Sequence, residues 1–317
     1  MTVTQYEFKN LVKERLFNCI ARQIDMIGHV PGDLSRMVGS SLDAADDHSE
    51  GHWERPTELT ELINAHYDRF FYEQHGVERL IREETDFKNL GYWDDTTLDL
   101  NAAAERLFKT LMAMIPKKSG RILDAGCGTG GATRRLLESY PPENVWAINI
   151  SAKQIETTKQ NVKGCHAIVM NAVDMTFEDN FFDTVLSIEA AMHFETRRKF
   201  LEESFRVLKQ DGCLVLSDIL FTSQERLEQN DYFGGVSNHI ETIEDYQQLM
   251  EEIGFRNVVV KDVSKAVWGS NFLYNINKLH KEFYHGRLDL IQLTETLWSM
   301  YYVNSIFSVC LFTFGQK

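Results

Sequence analysis

The segment Leu123–Gly130 reads LDAGCGTG and stands between a short apolar run and a stretch with helical spacing. Its three glycines let the backbone turn tightly and come close to a ligand. The residues before it, Arg121–Asp124, are predicted to form a strand, and Ala132–Tyr140 are predicted to form a helix. Because the first turn of a helix offers unpaired N–H groups, the segment predicts a cofactor loop of the nucleotide-binding type.

Strands and helices alternate along the chain from Gly120 onward, which predicts a parallel sheet with right-handed crossovers and helices on both faces. The expected fold class is α/β: a Rossmann-like, doubly wound, mostly parallel sheet of seven strands, with a helical N-terminal extension and lid insertions. The predicted strands are Arg121–Asp124, Val145–Ile150, Ala167–Met170, Phe182–Ile188, Gly212–Leu220, Phe255–Val263 and Ile306–Phe314.

Two domains are expected. Residues 1–115 show helical spacing and are predicted to form an N-terminal extension that caps the cofactor. Residues 116–317 are predicted to form the cofactor-binding core, with lid insertions at about 221–245 and 265–300. The longest apolar tract, Tyr301–Phe314, is shorter than the roughly 20 residues that span a bilayer, so it is predicted to be a buried strand.

The chain of 317 residues carries a formal net charge of −14. Nucleic-acid-binding proteins usually carry a basic stripe that neutralises phosphates, and this sequence has no extended run of Lys and Arg that would form one. An acidic balance also disfavours an anionic membrane surface. We therefore expect a small-molecule acceptor as the partner, with no nucleic acid and no membrane. The sequence allows a homodimer without fixing the oligomeric state.

The five cysteines of the chain form no C-x-x-C pair. This pattern fits reduced thiols better than a disulfide framework or a zinc site, so no metal is expected. The N-terminal residues have charges spread among them and lack the apolar centre of a signal peptide. These features predict a cytoplasmic protein.

The glycine spacing alone leaves two cofactors open. Gly126, Gly128 and Gly131 also satisfy the G-x-G-x-x-G pattern with which NAD enzymes hold a pyrophosphate. However, Asp124 at the strand end would oppose a pyrophosphate, whereas it suits a cofactor that carries an ammonium and a sulfonium group. The second strand also ends in Asn149, where an acid usually meets the NAD ribose. The predicted cofactor is therefore S-adenosyl-L-methionine.

Several segments resemble the class I S-adenosylmethionine-dependent methyltransferases, and together they cover about residues 60–260. LDAGCGTG resembles motif I of that superfamily, and the remaining motifs follow in the expected order. They are AINISAKQ at 147–154, NAVDMTF at 171–177, FDTV at 182–185 and RVLKQDG at 206–212.

Within that superfamily the chain is most similar to enzymes that act on small molecules. These are the tocopherol C-methyltransferases, the cyclopropane and mycolic acid group, and natural-product sugar or macrolide O-methyltransferases. The resemblance is carried by His66-Tyr67-Asp68 and by the sequence NLGYW at 89–93. In those enzymes a similar H-Y-D helix and G-Y-W turn fold over the cofactor.

The resemblance implies a set of cofactor contacts. Asn149 stands where most of these enzymes have an acid for the ribose, and Asn171 replaces the acid expected near the adenine amino group. Gln154 ends an I-S-A-K-Q pattern similar to the L-S-x-x-Q of the mycolic acid group, which uses that glutamine. The predicted cofactor-binding residues are Tyr67, Trp93, Asp124, Gly126, Gly128, Gly130, Asn149, Ile150, Gln154, Asn171, Ala172 and Glu189.

Three residues are predicted to be catalytic. His193 follows the fourth strand, where ligands of open α/β sheets bind, and an imidazole titrates near neutrality. It is therefore the expected general base for an acceptor O–H or N–H group. Asp218, at the end of the fifth strand, is expected to orient the base or to bind substrate, and His239 is expected near the acceptor pocket.

The predicted function is S-adenosylmethionine-dependent methyl transfer to a small, partly apolar metabolite, on oxygen, nitrogen or carbon, in specialised metabolism. Two alternatives stay open. A non-catalytic cofactor-binding regulatory or partner protein is suggested by Asn149 and Asn171, because both replace usual acids. An NAD-dependent oxidoreductase is permitted by the glycine spacing.

Overall fold

The computed structural model describes residues 61, 63–65, 68, 72, 87–222 and 238–317. All of them belong to one compact unit, Glu54–Lys317. Residues 1–60, the pair His66-Tyr67 and most of the predicted lid at 221–245 lie outside the described residues, so the predictions made for them stay predictions.

Seven strands of the described chain form one sheet. They are β1 Ile122–Ala125, β2 Val145–Asn149, β3 His166–Val169, β4 Phe182–Ile188, β5 Leu208–Phe221, β6 Arg256–Asp262 and β7 Phe307–Gln316. The order across the sheet is β3-β2-β1-β4-β5-β7-β6. Neighbouring strands run parallel except at β7, which is antiparallel to both β5 and β6. The predicted α/β fold with a seven-stranded, mostly parallel sheet is confirmed.

Polar side-chain caps set the starts of five of the seven helices named below. Asp99 accepts a hydrogen bond from the Ala102 N–H at 2.7 Å, and Ser151 accepts one from the Gln154 N–H at 3.1 Å. The helices are α1 Leu100–Met114, α2 Gly131–Leu136, α3 Ala152–Asn161, α4 Arg197–Val207, α5 Ile243–Ile253, α6 Ser270–Tyr284 and α7 Leu290–Ile306. The described residues between 61 and 72 are also helical.

The core lies on both faces of the sheet. On one face α1 packs its buried apolar residues, among them Leu107 and Leu111, against strand residues such as Ile122 and Val215. On the other face apolar residues of α4 and α5 pack against β4 and β5. Each of these helices shows apolar residues at helical spacing, so burial of one face holds it on the sheet.

Several element boundaries differ from the sequence prediction; the helix predicted at Ala132–Tyr140, for example, is α2 Gly131–Leu136, and two differences concern strands β7 and β5. The tract Tyr301–Phe314 is not one strand, because α7 continues to Ile306 and β7 begins at Phe307. A continuous apolar run does not distinguish a buried helix end from a buried strand, which explains the error. Strand β5 begins at Leu208, four residues before the predicted Gly212, and pairs with β4 there across a register shift.

The strand order reverses direction between β1 and β4, which places a crevice beyond the carboxyl ends of these two strands. The LDAGCGTG loop follows β1, and Glu189 follows β4. The fold therefore brings the cofactor loop and the segment with His193 to the same edge of the sheet. Of the helices in the described part of the chain, none has the length and apolarity that crossing a membrane requires.

Candidate functional site

A cavity of about 390 Å³ opens at this edge of the sheet. Its described lining includes the loop after β1, the ends of β2 and β3, the segment after β4 and apolar residues from α7 and β7. Its size falls within the roughly 300–1,000 Å³ typical of pockets for small ligands and cofactors.

The loop after β1 has no room for a side chain at Gly126. This residue has φ of 84°, and a Cβ added to it would stand 2.5 Å from the Ala190 Cβ. The N–H groups of Gly126 and Cys127 both donate to the Ile148 carbonyl, at 3.0 and 3.1 Å. The loop is thus fixed to β2 on one side and packed against the segment after β4 on the other.

Helix α3 holds the far side of the same loop. The Thr158 hydroxyl donates to the Gly128 carbonyl at 3.1 Å, and Asn161 Nδ2 donates to the Thr129 carbonyl at 3.1 Å. Gly130, with φ of 88°, precedes α2, and a Cβ there would stand 3.0 Å from Thr158 Cγ2. Gly126 and Gly128 line the cavity, whereas Gly130 is not among its lining residues and packs the loop against α3.

Asp124 is buried at the end of β1 and lines the cavity. The Thr133 hydroxyl donates to its Oδ2 at 2.6 Å. Burial raises the pKa of Asp124 to about 6, although the hydrogen bonds from Thr133 lower it in part. A cation near this carboxyl group would favour its ionised form.

Glu189, which follows β4, is held in an uncommon backbone conformation with φ of 49°. Its N–H donates to the carbonyl and to the hydroxyl of Ser217, at 2.9 and 3.1 Å. Its Oε2 accepts from the Leu90 N–H at 2.9 Å. Burial raises the pKa of Glu189 to about 8, and the nearby charge of Asp218 adds to this rise.

The described lining residues fit a cationic cofactor such as S-adenosylmethionine. Three carboxyl side chains line the cavity against one lysine, and two of them, Asp124 and Glu189, have raised pKa values. Asn64 also lines the cavity, and its Oδ1 is buried without a hydrogen-bond partner. An acceptor left without a donor, beside two carboxyl groups, suits a ligand that brings an ammonium or hydroxyl group.

The end of β2 presents two linked amides to the cavity. The Ser151 N–H donates to Asn149 Oδ1 at 3.0 Å, and Asn149 Nδ2 donates to Gln154 Oε1 at 3.2 Å. Asn149, Ile150 and Gln154, three of the predicted cofactor-binding residues, all line the cavity.

The end of β3 supplies the next group of predicted cofactor residues. Asn171 and Ala172 both line the cavity. Asn171 Oδ1 accepts from the Val173 N–H at 3.2 Å, which fixes the orientation of the amide. The fold therefore brings the β1, β2 and β3 loops around one cavity.

Trp93 does not line the cavity. Its side chain is buried, its Nε1 donates to the Leu90 carbonyl at 2.9 Å, and its ring lies 4.7 Å from that of Tyr274. Asn89 and Leu90 line the cavity instead, so Trp93 acts as the anchor of this turn. Tyr67, the other predicted residue of the cap, lies outside the described residues.

His193 lines the cavity from a short 3₁₀ turn, Ala191–His193. Asn238 supports this turn, because its Nδ2 donates to the carbonyls of Ala191 and Met192 at 3.1 and 3.0 Å. Of the three predicted catalytic residues, His193 is the one that the structure places in the cavity wall.

Asp218 is buried in an ion pair and is not among the lining residues. Arg197 Nε donates to its Oδ2 at 2.6 Å, and Tyr246 Oη donates to the same oxygen at 3.1 Å. Neither Arg197 nor Tyr246 lines the cavity, and the role of Asp218 in orienting a base or binding substrate stays a prediction. His239 is not a lining residue either, and its Nε2 is buried without a hydrogen-bond partner.

An apolar wall of the cavity was not identified from the sequence. Trp268 belongs to the π-helical turn Lys265–Gly269, and its Nε1 donates to Asn304 Oδ1 at 2.5 Å. The wall is made of Ile188, Met192, Ile219, Trp268, Val303 and Phe307. The sequence predicted a lid insertion at 265–300, and Trp268 is the residue of that range that lines the cavity.

No group of His, Cys, Asp or Glu side chains within the described ranges has the arrangement of a metal site. The four described cysteines are unpaired, and two of them, Cys127 and Cys165, pack in the same small apolar cluster. Burial raises the pKa of the Cys127 thiol well above its ordinary value, so this cysteine is a poor nucleophile.

Comparison with known proteins places the site in context. The profile of a family described as a methyltransferase domain matches residues 123–216. The 27-O-demethylrifamycin SV methyltransferase of Amycolatopsis mediterranei is 30% identical over 192 residues, which are 55% of this chain and 68% of that protein. The erythromycin 3''-O-methyltransferase of Saccharopolyspora erythraea is 27% identical over 254 residues, which are 73% of this chain and 83% of that protein.

A solved structure extends the comparison to the fold. The cyclopropane synthase MmaA2 from Mycobacterium tuberculosis superimposes with a TM-score of 0.62 at 17% sequence identity, covering 83% of this chain and 100% of that chain. This likeness shows the fold, and the two sequence matches extend well beyond the glycine loop.

Proposed function

The chain belongs to the class I S-adenosylmethionine-dependent methyltransferases, and we propose that its acceptor is a small, partly apolar metabolite of specialised metabolism. The enzyme uses S-adenosyl-L-methionine as its methyl donor, which sets aside the NAD-dependent alternative and the non-catalytic one. One observation carries the proposal: a single cavity is lined by Gly126 and Gly128, by His193, and by the apolar side chains of Trp268 and Phe307.

Different residues of the cavity are proposed to bind different parts of the cofactor. We assign Asp124 to the amino group of the methionine part and Asn149 with Gln154 to the ribose hydroxyls. Asn171 and the backbone of Ala172 are assigned to the adenine. These assignments are supported by the position of all five residues in the lining of one cavity. They are also supported by the raised pKa of Asp124, because a cationic ligand beside this carboxyl group would lower that pKa and favour the ionised form.

The bound cofactor supplies an electrophilic methyl group on a sulfonium centre. The protein contributes alignment, because a nucleophile held in line with the methyl carbon reacts without further ordering. The apolar wall around Trp268, Val303 and Phe307 excludes water from the acceptor and binds its carbon skeleton.

His193 is proposed as the general base. Its imidazole accepts the proton of an acceptor O–H or N–H as the new bond to the methyl carbon forms. The names of the two relatives describe O-methyltransferases of natural products, which favours an oxygen acceptor. We further propose that the enzyme is cytoplasmic, has no nucleic-acid partner and forms a homodimer. The unpaired cysteines of the described residues support the cytoplasmic location.

The proposal is tested with the purified full chain and a cofactor whose methyl group carries tritium. The acceptor panel contains phenolic polyketides, glycosylated macrolides, alkylamines and fatty acids. Labelled product from at least one of the oxygen acceptors is expected. Binding of the cofactor without transfer to any member of the panel would contradict the proposal.

The role of His193 is tested with His193→Ala and His239→Ala, because only the first of these histidines lines the cavity. His193→Ala should lower kcat by about 100-fold while the Kd of the cofactor changes less than about threefold. His239→Ala should change kcat by less than about threefold. If turnover of His193→Ala matches that of the unaltered enzyme across the pH range, His193 is not the base.

A further inference from the structure

Asp68 connects the N-terminal helical segment to the end of β2. Its Oδ1 accepts a hydrogen bond from the Ser151 hydroxyl at 2.6 Å and a longer one from Gln154 Nε2 at 3.4 Å. Asp68 is far from these residues in sequence and is not among the lining residues of the cavity, whereas Gln154 is. It contacts Gln154, one of the two linked amides at the proposed ribose position.

Three hydrogen bonds run in one direction toward Asp68. The Ser151 N–H donates to Asn149 Oδ1, Asn149 Nδ2 donates to Gln154 Oε1, and Gln154 Nε2 donates to Asp68 Oδ1. A backbone N–H can only donate and a carboxylate can only accept, so the two ends of this chain fix the orientation of both amides. Hydrogen bonds arranged in this way polarise one another.

The polarisation increases the negative charge on the amide oxygens. An amide that donates to a carboxylate gains electron density at its oxygen, so Gln154 Oε1 becomes a stronger acceptor for Asn149 Nδ2. The same step makes Asn149 Oδ1 a stronger acceptor in turn. Each amide oxygen has two lone pairs and each amide nitrogen two N–H groups, so both side chains keep capacity for a ligand in the cavity.

We propose that Asp68 is a positioning residue that supplies, through Gln154 and Asn149, the negative charge that β2 lacks for recognition of the ribose hydroxyls. The inference rests on the proposed function, because it takes the cofactor ribose to lie at the end of β2. It accounts for an amide at position 149, where folds of this type usually place an acid.

A second contact attaches the same helical segment, so its attachment does not depend on Asp68 alone. Tyr72 Oη donates to the Lys153 carbonyl at 3.1 Å and is paired with the Thr157 hydroxyl at 2.6 Å. The Lys153 ammonium also lies 4.1 Å from the centre of the Tyr72 ring. Tyr72 therefore anchors the same segment to α3 without touching the two amides, which makes it a matched control.

The experiment measures Kd by calorimetry for S-adenosylhomocysteine and for its 2′-deoxy and 3′-deoxy ribose analogues. Asp68→Asn keeps the shape and the acceptor oxygen but removes the charge. It should weaken binding of S-adenosylhomocysteine about threefold and binding of at least one deoxy analogue by less than about 1.5-fold, because the charge acts on the ligand only through polarised amides. Tyr72→Phe should change the Kd of all three ligands by the same factor.

A rescue variant completes the test. Asn149→Asp in the Asp68→Asn background places a carboxylate directly at β2, and it should restore the preference for the complete ribose to at least that of the unaltered protein. Equal weakening of all three ligands by Asp68→Asn would overturn the proposal and leave Asp68 as an anchor. Equal affinity of the unaltered protein for all three would also overturn it. Failure of the unaltered protein to bind S-adenosylhomocysteine would instead overturn the proposed function.

Discussion

The two ends of the cavity are built in different ways. At the cofactor end, individual backbone and polar atoms determine the geometry: the N–H groups of Gly126 and Cys127 are fixed to Ile148, and the amide of Asn149 is fixed to Ser151. At the proposed acceptor end, apolar side chains form a wall: Trp268 and Val303 come from the segment between β6 and β7, and Phe307 is the first residue of β7.

The two ends differ in the substitutions that they tolerate. A position that depends on backbone conformation admits few residue types, and a hydrogen-bonded amide requires a particular atom at each place. An apolar wall accepts many side chains of similar volume. The cofactor end is therefore suited to one invariant ligand, and the acceptor end to a ligand that differs between related enzymes.

The largest effect is a loss of stability expected on substitution of Asp218, whose neighbour in β5, Ile219, lines the apolar wall of the cavity. Asp218→Asn removes one charge of the buried pair with Arg197, and breaking a buried pair costs about 3–5 kcal/mol because the remaining charge is uncompensated. Urea unfolding measures this loss. Glu252→Gln disrupts the exposed pair with Arg198 and should leave the unfolding midpoint unchanged.

A direct catalytic role for Asp218 makes a different prediction. It would give a stable Asp218→Asn protein whose kcat falls while its free energy of unfolding stays near that of the unaltered enzyme. That result would assign Asp218 a role in methyl transfer to the acceptor. The residue would then act in the chemistry of the site and not in stabilising the fold around it.

The next largest effect is expected at the cofactor end. Gly126→Ala forces a Cβ to within 2.5 Å of the Ala190 Cβ at a φ of 84°, so either the loop or the segment after β4 must move. The Kd of the cofactor should rise at least about 30-fold, because strain and overpacking together cost a few kcal/mol. Calorimetry with S-adenosylhomocysteine measures it.

Gly286 provides the matched control, since it has a φ of 69° and a Cβ there would meet nothing within 4 Å. Gly286→Ala introduces the strain of a side chain at positive φ without a close contact to another atom. It should lower the free energy of unfolding by about 1 kcal/mol while the Kd of the cofactor stays the same. Equal cofactor affinity of the two variants would show that the loop after β1 is more adaptable than its packing indicates.

The cofactor end was largely predictable from the sequence, and the reason is physical. Positive φ values and close packing require glycine, so Gly126 and Gly128 leave a visible pattern, and the predicted Asp124, Asn149 and Asn171 follow strands that are easily identified. The fold was predictable because apolar residues recur with different periods in strands and in helices.

The acceptor end was not predictable, because apolar residues at helical spacing describe a core and a pocket wall equally well. Trp268 and Val303 line the cavity, whereas Trp93, which was expected to contact the cofactor, is buried against Tyr274. The contacts of Asp68 join residues 83 and 86 positions away, so no local pattern could reveal them.

A smaller effect is expected from the apolar wall. Val303→Phe adds volume to a lining position and should lower kcat/KM for a bulky acceptor about tenfold, with the Kd of the cofactor within about twofold. Ile291→Phe, on the same helix but 69% exposed, should change neither quantity. If Val303→Phe weakens the cofactor and leaves the acceptor KM unaltered, the division of the cavity into two ends is incorrect.

The smallest expected effect is a pH dependence at Glu189. Its pKa of about 8 means that the carboxyl group is mostly neutral at pH 7 and ionised at pH 9. A cationic ligand favours the ionised form, so the affinity of the enzyme for S-adenosylmethionine, relative to that of Glu189→Gln, should rise a few-fold between about pH 6.5 and about pH 9. The sulfonium group of the cofactor does not titrate, so its positive charge is present throughout this pH range.

Without the cofactor, the stability of the protein should change in the opposite direction. Because the pKa of Glu189 is raised in the folded state, the stability that its neutral form contributes is present at low pH and is lost as the pH rises from about 4.5 to about 8. Unfolding of the unaltered protein relative to Glu189→Gln measures that loss. Glu195→Gln, at an exposed lining position, should show neither trend. Parallel pH trends of stability and cofactor affinity would mean that Glu189 does not face the cationic part of the cofactor, and the carboxyl pair with Asp124 would then belong to the scaffold of the loop.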